Sequence, residues 1–450
     1  MWLSWLLVWL QPASGVSPPP QVQEPSLSLA QAVNQALEVA PRRAMAFASI
    51  SRAESEVRAA KSQGLPQFGF DGVAVRFDEP MLVAPLHGLD FTRAPDFERT
   101  LLQAEFGLGY VLFDGGARRG EVDRAQALAR VAGAQLTSAE QLIVASTVEA
   151  YVTVISSRDA EASQGERLRA LRSEADRVDR FLREGQAARV EQLRVSAALA
   201  SARADSTGAG SARRAAEARL ARLTGLDLVE IARGGLHPVA LRADGAMVSR
   251  SPLTDALFET APALREATAR VTAAQSATRA ARAAWLPSVR LEGRTITYGS
   301  AGGSDVPVTT EWGAGFRIKY PLFTGGRRSA DIDRREALTR EAEAARHETV
   351  LALAERVEQL LVEIEETKAR GAALEVAITQ LREVARTEAL SLAEGVGLQS
   401  DYLSAEADLA GTRAEWSRTR AREVSAHVRL AQLLGRLSPE AVDNLLEVGS

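Results

Sequence analysis

"YVLFDGGARR" at Tyr110–Arg119 and "YPLFTGGRRS" at Tyr320–Ser329 are two versions of one transition, 210 positions apart. An aromatic and apolar run gives way to paired glycines and then to paired arginines. The same spacing persists downstream: "EVDR" at Glu121–Arg124 faces "DIDR" at Asp331–Arg334, and "LREG" at Leu182–Gly185 faces "LAEG" at Leu392–Gly395. "RLARLTG" at Arg219–Gly225 likewise faces "RLAQLLG" at Arg429–Gly435. Upstream the spacing becomes 221, because Leu65-Pro66 faces Leu286-Pro287 and "ALEVAP" at Ala36–Pro41 faces "LFETAP" at Leu257–Pro262. The chain is a tandem repeat, and a repeat of this kind constrains the whole architecture. The difference between the two spacings is confined to one interval, which marks a surface loop where insertions are tolerated. That loop is expected mainly over Asp78 to Glu98, a stretch with Pro80, Pro85, Gly88, Pro95 and no helical period.

Each copy reads as helix, two strands, very long helix, turn, helix. The first helix is expected from Leu27 to Gly64, closed by Leu65-Pro66, since a residue before proline is pushed out of the helical region. Strands are expected at about 67–77 and 102–113, and again at about 288–298 and 310–323. "EWGAGFRIKYPLF" places Trp312, Ala314, Phe316, Ile318 and Tyr320 on one face, with Glu311, Gly313, Gly315, Arg317 and Lys319 on the other. "QAEFGLGYVLF" repeats the period, with Phe106, Leu108, Tyr110 and Leu112 against Glu105, Gly107 and Gly109. "QFGFDGVAVRF" alternates less cleanly. A half-buried strand of a soluble sheet would show the same alternation. Strands of ~9–11 residues suit a tilted bilayer crossing, and the glycines suit a curved wall.

After each glycine pair a helix without proline runs roughly from Arg118 to Glu184 and from Arg328 to Glu394, ~100 Å at 1.5 Å per residue. Its apolar residues step by three and four, as in a coiled-coil seam: Val122, Ala125, Ala129, Ala132, Leu136, Ala139 and Ile143 in the first copy. In the second copy the seam is Val350, Leu353, Val357, Leu360 and Ile364, resumed by Leu374, Ile378, Leu381 and Ala385. Gly185 and Gly395 end the long helices, and return helices follow at about Val190–Leu223 and Ser400–Leu434. The segment Gly225 to Pro252, with Gly234, Gly235, Pro238 and Gly245, is expected to be a non-helical joint.

The domain scheme is a signal peptide at 1–16, a proline-rich linker at 17–26, a first repeat at 27–225, an inter-repeat segment at 226–253, a second repeat at 254–437 and a tail at 438–450. The leader reading rests on the apolar Trp5–Leu10, the small Ala13, Ser14 and Gly15, and Pro18 to Pro20, although a basic n-region is missing. It is too short to span a bilayer as a helix, which takes ~20 residues.

Composition narrows the function. A net charge of −4 with no basic stripe argues against nucleic acid as a partner. The absence of cysteine excludes disulfides, thiol chemistry and a lipid-modified cysteine. His87, His237, His347 and His427 are widely separated, and no P-loop, G-x-S-x-G elbow, G-x-G-x-x-G fingerprint or H-E-x-x-H pair occurs. No catalytic residue, cofactor or metal site is expected. If the four strands cross a membrane, every backbone group must be paired, so several chains must contribute to one barrel. The competing reading is a soluble coiled-coil scaffold or adaptor with a small sheet.

The tandem repeat, the two Leu-Pro ends, "LFDGG" and "LFTGG" opening the long helices, and the tips "FLREG…EQL" and "SLAEG…DYL" resemble the TolC family of bacterial outer-membrane efflux and secretion channels. The resemblance covers about Leu27 to Leu437. It implies a mostly helical fold with transmembrane strands: a homotrimer with a 12-stranded barrel, four strands per chain, continued by an α-helical coiled-coil barrel in the periplasm. It implies outer-membrane lipid around the strands, a periplasmic adaptor (membrane fusion) protein at the tips, and an inner-membrane pump of RND, ABC or MFS type. Candidate strand-to-helix joints are Gly115, Gly116, Gly325 and Gly326, and candidate adaptor contacts are Gly185, Leu193, Gly395 and Leu403. Seam packing also accounts for the two leucines.

By position after the tip glycine, Asp401 matches the first of two acids that ring the family's periplasmic constriction, Ser404 stands at the second, and Gly397 replaces an arginine that latches some members. Glu191 holds the equivalent acidic position in the first hairpin. Both Glu191 and Asp401 fall in a first helical turn, where the exposed N–H groups also favour a carboxylate.

Overall fold

The computed structural model describes residues 27–82, 92, 97–242, 258–299 and 309–448. The leader, the linker and the centre of the expected surface loop lie outside the described residues.

Helix α1 (Leu29–Val39) opens on a reciprocal cap. The Gln31 N–H donates to Ser28 Oγ at 3.2 Å, and the Ser28 N–H donates to Gln31 Oε1 at 2.9 Å. The single helix expected to Gly64 is in fact two, because Ala40 turns extended (φ −67°, ψ 116°) before Pro41, and α2 (Pro41–Ser62) starts on that proline. The rule that closes the helix at Leu65-Pro66 applies equally at Ala40-Pro41.

Strands β1 (Gln67–Leu82) and β2 (Phe97–Phe113) form the first hairpin. Their extent corrects the expected loop: Asp78–Leu82 and Phe97–Glu98 are strand. A register shift between Arg76 and Met81 accommodates Pro80, which has no N–H for the ladder. Helix α3 (Ala117–Arg183) and its return helix α4 (Arg189–Thr224) follow. The inter-repeat segment is not wholly irregular. It holds a short helix α5 (Leu228–Arg233), started by the Asp227 carboxylate on the Val229 N–H, and strand β3 (Val239–Leu241).

In the second copy, α6 (Pro262–Arg282) and a 3-10 turn lead to β4 (Ser288–Gly299), β5 (Thr309–Lys319), α7 (Arg327–Ala393) and α8 (Gln399–Leu433). Strand β5 stops at Lys319, short of the expected 323, because Pro321 occupies the place of Val111 and cannot donate to a ladder. The expected tail contains α9 (Pro439–Leu445) and β6 (Leu446–Val448), and β6 pairs with β3.

Both long helices have 67 residues. The large sheet has the order β1-β2-β4-β5 with every neighbouring pair antiparallel. The repeat is preserved at the level of register: Gln67 lies opposite Gly109 and Ser288 opposite Lys319, the same pair moved by 221 and 210 positions. Among the described residues no helix is long and apolar enough to cross a membrane.

The core is a belt halfway along the helices. There Val144, Val148, Tyr151 and Val154 of α3 meet Val33 of α1, Leu220 of α4, Val428 of α8 and Leu445 of α9. A second cluster joins Phe258 and Leu264 to Leu353, Val357 and Leu360, which are members of the seam expected in α7. Glu217 is buried yet satisfied, with Arg158 at 3.0 Å and Arg213 at 2.8 Å. Tyr151 is fully buried, and its hydroxyl lies 2.8 Å from the Leu27 carbonyl and 3.1 Å from that of His237, tying α3 to both connecting segments. Burial pushes its pKa up to about 12. Tyr151→Phe should therefore lower stability by about 1–3 kcal/mol, since two partly buried carbonyls lose the single hydroxyl proton they share. Thermal unfolding followed by circular dichroism, with helix content unchanged at room temperature, checks this.

Candidate functional site: channel wall, joints and hairpin tips

The cross-strand registers divide the large sheet into two unlike faces. One carries Phe68 and Phe70 of β1, Phe106, Leu108 and Tyr110 of β2, Leu291 of β4, and Trp312, Phe316 and Ile318 of β5. Phe68 is 81% exposed and Trp312 80%. Phe70 and Phe106 pack with ring centroids 4.8 Å apart and their planes tilted by 48°. An apolar aromatic surface of this extent on a solvated monomer would be an aggregation site, and it fits lipid. The opposite face carries Asp71, Glu105, Gln103, Arg290, Glu292, Arg294, Glu311, Arg317 and Lys319, with Gly107, Gly109, Gly313 and Gly315 between them. Arg317 forks onto Glu292 at 2.7 Å on this face. The weak alternation of β1 has a simple basis: Val73 and Val75 fall on the polar face and Arg76 on the apolar one.

At each joint the backbone turns through two left-handed glycines, Gly115 (φ +69°) and Gly116 (φ +91°), then Gly325 (φ +61°) and Gly326 (φ +83°). The second residue after each pair, an arginine in both copies, reaches back to the end of the helix that precedes its own hairpin. Arg118 Nη1 donates to the Gln63 carbonyl at 3.5 Å, and Arg328 Nη1 donates to that of Ala284 at 3.2 Å. Arg328 also lies over the Trp285 ring, 4.4 Å from its centroid. Asp114 reinforces the first joint only, accepting from the N–H groups of Gly116 and Arg118 at 3.0 Å and from Arg118 Nε at 2.8 Å. Thr324 stands in its place in the second.

At the other end of the long helices, Gly185 (φ +74°) and Gly395 (φ +79°) make matching turns. The Gln186 N–H donates to the Phe181 carbonyl at 2.7 Å, and the Val396 N–H donates to that of Ser391 at 3.0 Å. A side chain at Gly397 would begin 2.8 Å from Ser391 Cβ and 2.9 Å from the Leu392 nitrogen, so the tip turn excludes one. Glu191 and Asp401 occupy the third positions of α4 and α8, where neither return helix has a side-chain cap. Asp401 is exposed and accepts from Ser400 Oγ at 3.0 Å, Ser404 is exposed, Leu193 is exposed and Leu403 is half-buried.

A contact between the two hairpins escaped sequence reasoning. Gln399 Nε2 donates to Glu174 Oε1 at 3.3 Å, Glu174 pairs with Arg177 at 2.8 Å, and Tyr402 is buried beside them. Burial, with Glu406 and Glu174 nearby, pushes the Tyr402 pKa up to about 12. The Glu174 hydrogen bond raises the Arg177 pKa, and Glu191 adds to it, so one stretch of α3 touches both candidate acidic positions' helices. A tyrosine beside Asp401 in a chain with only five was the available signal.

A two-faced sheet with open edges, continued by a helical rod that ends in hairpins, defines a subunit of an outer-membrane duct. The sequence matches the outer membrane efflux protein family over residues 32–226 and 253–436, and the chain belongs to that family. No curated protein matches it. Among solved structures, VceC of Vibrio cholerae is 19% identical with a TM-score of 0.76, over 90% of this chain and 96% of that one. The CmeC channel of Campylobacter jejuni is 16% identical with a TM-score of 0.78, over 93% and 89%. The MtrE channel of Neisseria gonorrhoeae is 21% identical with a TM-score of 0.73, over 90% and 88%. These likenesses establish the fold. Family membership makes the protein an outer-membrane export channel with its helical part in the periplasm, and sets aside the soluble scaffold. Family and fold are those of channels rather than enzymes.

Burial raises the Asp114 carboxyl, but the Arg118 N–H, its guanidinium and the Gly116 N–H outweigh it and hold the pKa below the usual aspartate value. A depressed folded-state pKa stabilises the fold above the unfolded value, about 3.9, and that stability is lost as pH falls through the folded value. Asp114→Asn should cost about 1 kcal/mol at neutral pH, because it removes the charge that pairs with Arg118. The gap between variant and parent in denaturant melts should stay constant from pH 8 to 5 and shrink only in strong acid.

Proposed function

We propose that three copies of this chain assemble into a passive exit duct, a 12-stranded barrel on a periplasmic helical tunnel. The observation that carries this is the sheet: β1 and β5 are its edges, each without a second partner strand among the described residues, and its apolar face is suited to lipid. In a bilayer such edges must be closed by other strands. In this reading 27–225 and 254–437 are the two channel repeats, 226–253 joins them, and 1–16 is a leader removed on export.

The hairpin tips at Gly185, Leu193, Gly395 and Leu403 dock a periplasmic adaptor, which couples the duct to an inner-membrane pump of RND, ABC or MFS type. The pump supplies the energy and most of the substrate choice. Three copies of Asp401, with Glu191 and Ser404 near them, form the periplasmic constriction, where a ring of like charges attracts cations.

Fractionation tests the reading: the protein should sediment with outer membranes and run as a trimer that heat converts to monomer. A soluble monomer after export would overturn it. In a planar bilayer, Asp401→Asn should weaken block by divalent cations several-fold, and unchanged block would remove Asp401 from the constriction.

A further inference from the structure

The register of the large sheet sorts the charges of its polar face by height. Counting up from the joints, Ser288 lies opposite Lys319 and Arg290 opposite Arg317, so the first two rows carry three cations. Glu292 stands in the third row between Gly109 and Gly315, and Arg294 in the fourth between Gly107 and Gly313. The fifth row brings Asp71, Glu105, Ile296 and Glu311 side by side across all four strands. We propose that the barrel lumen is a two-band charge filter, basic at its periplasmic end and acidic farther out, which depletes small cations at one level and small anions at the other and passes neutral solutes. The proposal rests on the duct reading and adds the residues that give the wall a selectivity of its own.

The pairing itself argues that this sorting has a purpose. Cross-strand neighbours of like charge destabilise a sheet. This face holds one such pair of each sign: Asp71 directly opposite Glu105, and Arg290 directly opposite Arg317. Exchanging one member between the pairs would make both attractive. Among the described residues Asp71, Glu105, Arg290 and Lys319 have no ion pair, and only Arg317 is neutralised, by Glu292 at 2.7 Å. Local rules broken without a compensating bond fall at functional sites.

Glycines keep the two bands apart. A Cβ on Gly69, Gly107, Gly313 or Gly315 would meet nothing within 4 Å, so in the row below the acids only Arg294 projects. Taking Arg294 with the acidic band and Glu292 with the basic one leaves two net charges of each sign per chain. The Arg290–Arg317 row and the acidic row are six residues apart on β4 and β5, about 20 Å at ~3.4 Å per residue. That exceeds the Debye length, about 8 Å at physiological salt, so each band acts separately. Twelve strands ~4.8 Å apart and tilted by ~40° make a wall about 12 Å in radius before side chains are counted. The arginine, lysine and glutamate side chains narrow it, which keeps solutes on the axis within reach of both fields.

The cysteine-free sequence lets single introduced thiols report the local potential. Val73 lies one row beyond the acidic band, opposite Gln103, Ser288 lies in the basic band, and Phe316 is on the lipid face. Val73→Cys, Ser288→Cys and Phe316→Cys channels in outer-membrane vesicles are labelled with cationic, anionic and neutral methanethiosulfonates, each rate being divided by that of the same reagent on free cysteine. The thiol at 73 should react several-fold faster with the cationic reagent than with the anionic one, and the thiol at 288 should show the reverse. The neutral reagent should label both alike. Both preferences should fade as salt cuts the Debye length from about 30 Å at 0.01 M to about 3 Å at 1 M. Asp71→Asn with Glu105→Gln, which also removes a like-charge pair, should abolish the preference at 73 and keep that at 288. If both positions favour the same sign, or the double variant leaves the preference at 73 unchanged, the two bands are overturned, while slow labelling at 316 still supports the barrel. Labelling at 316 by the charged reagents as fast as at 73 and 288 overturns the duct reading and the bands with it.

Discussion

Backbone hydrogen bonds at two strand edges govern this molecule. Among the described residues, strands β1 and β5 each satisfy one side of their ladder inside the chain and leave the other open. In water such groups bond to solvent, but in hydrocarbon each unsatisfied one costs several kcal/mol. The aromatic face of the same sheet needs hydrocarbon. The two requirements are compatible only in a closed ring of strands, so the membrane face and the need for other copies have one physical origin.

The tandem repeat distributes this constraint evenly and then departs from it locally. Both hairpins keep one register and both long helices one length, which would let six hairpin-and-rod units share a single wall geometry in the proposed trimer. The departures fall where the two copies meet different surroundings. Asp114 braces the first joint, while Thr324 and Pro321 leave the second joint with a shorter strand and a freer connection. Helix α3 packs on α2, α4, α6 and α8, whereas α7 packs mainly on α6 and α8 in its own chain. The buried residues of α3 outnumber those of α7 for that reason, and not because its sequence is more apolar.

Much of this was legible because long-period features survive in a single sequence. Period-two alternation, proline-free helices of matched length and glycines at turns each reflect local geometry repeated many times. What was not legible depends on one residue or on distant pairing. The break at Ala40 rests on one proline within an otherwise continuous helical pattern. The β3–β6 ribbon joins two three-residue strands some 200 positions apart, too short for any period to register. The strand extension to Leu82 runs past Pro80 through a shift of register, where composition argued for a loop. At the candidate constriction, the positions of Asp401 and Glu191 follow from spacing after a glycine. The Glu174–Gln399 contact with Tyr402 is a tertiary pairing between two helices distant in sequence.

That pairing gives the hairpin tips a built-in inequality. Its repeat counterparts are Val384 for Glu174, Thr387 for Arg177, Arg189 for Gln399 and Gln192 for Tyr402. Val384 is 46% exposed and Arg189 is exposed, so nothing among the described residues reproduces the buried tyrosine or the charge-assisted bond on that face of α7. Separating the two hairpins of one chain would uncover Tyr402 and strand the half-satisfied Gln399 amide, a loss that charged partners make larger than for a neutral hydrogen bond. Separation at the face bearing Val384 and Thr387 breaks neither interaction. Among the described residues, the contact that ties the tips of the two hairpins together therefore lies between α3 and α8, and α7 carries no counterpart of it.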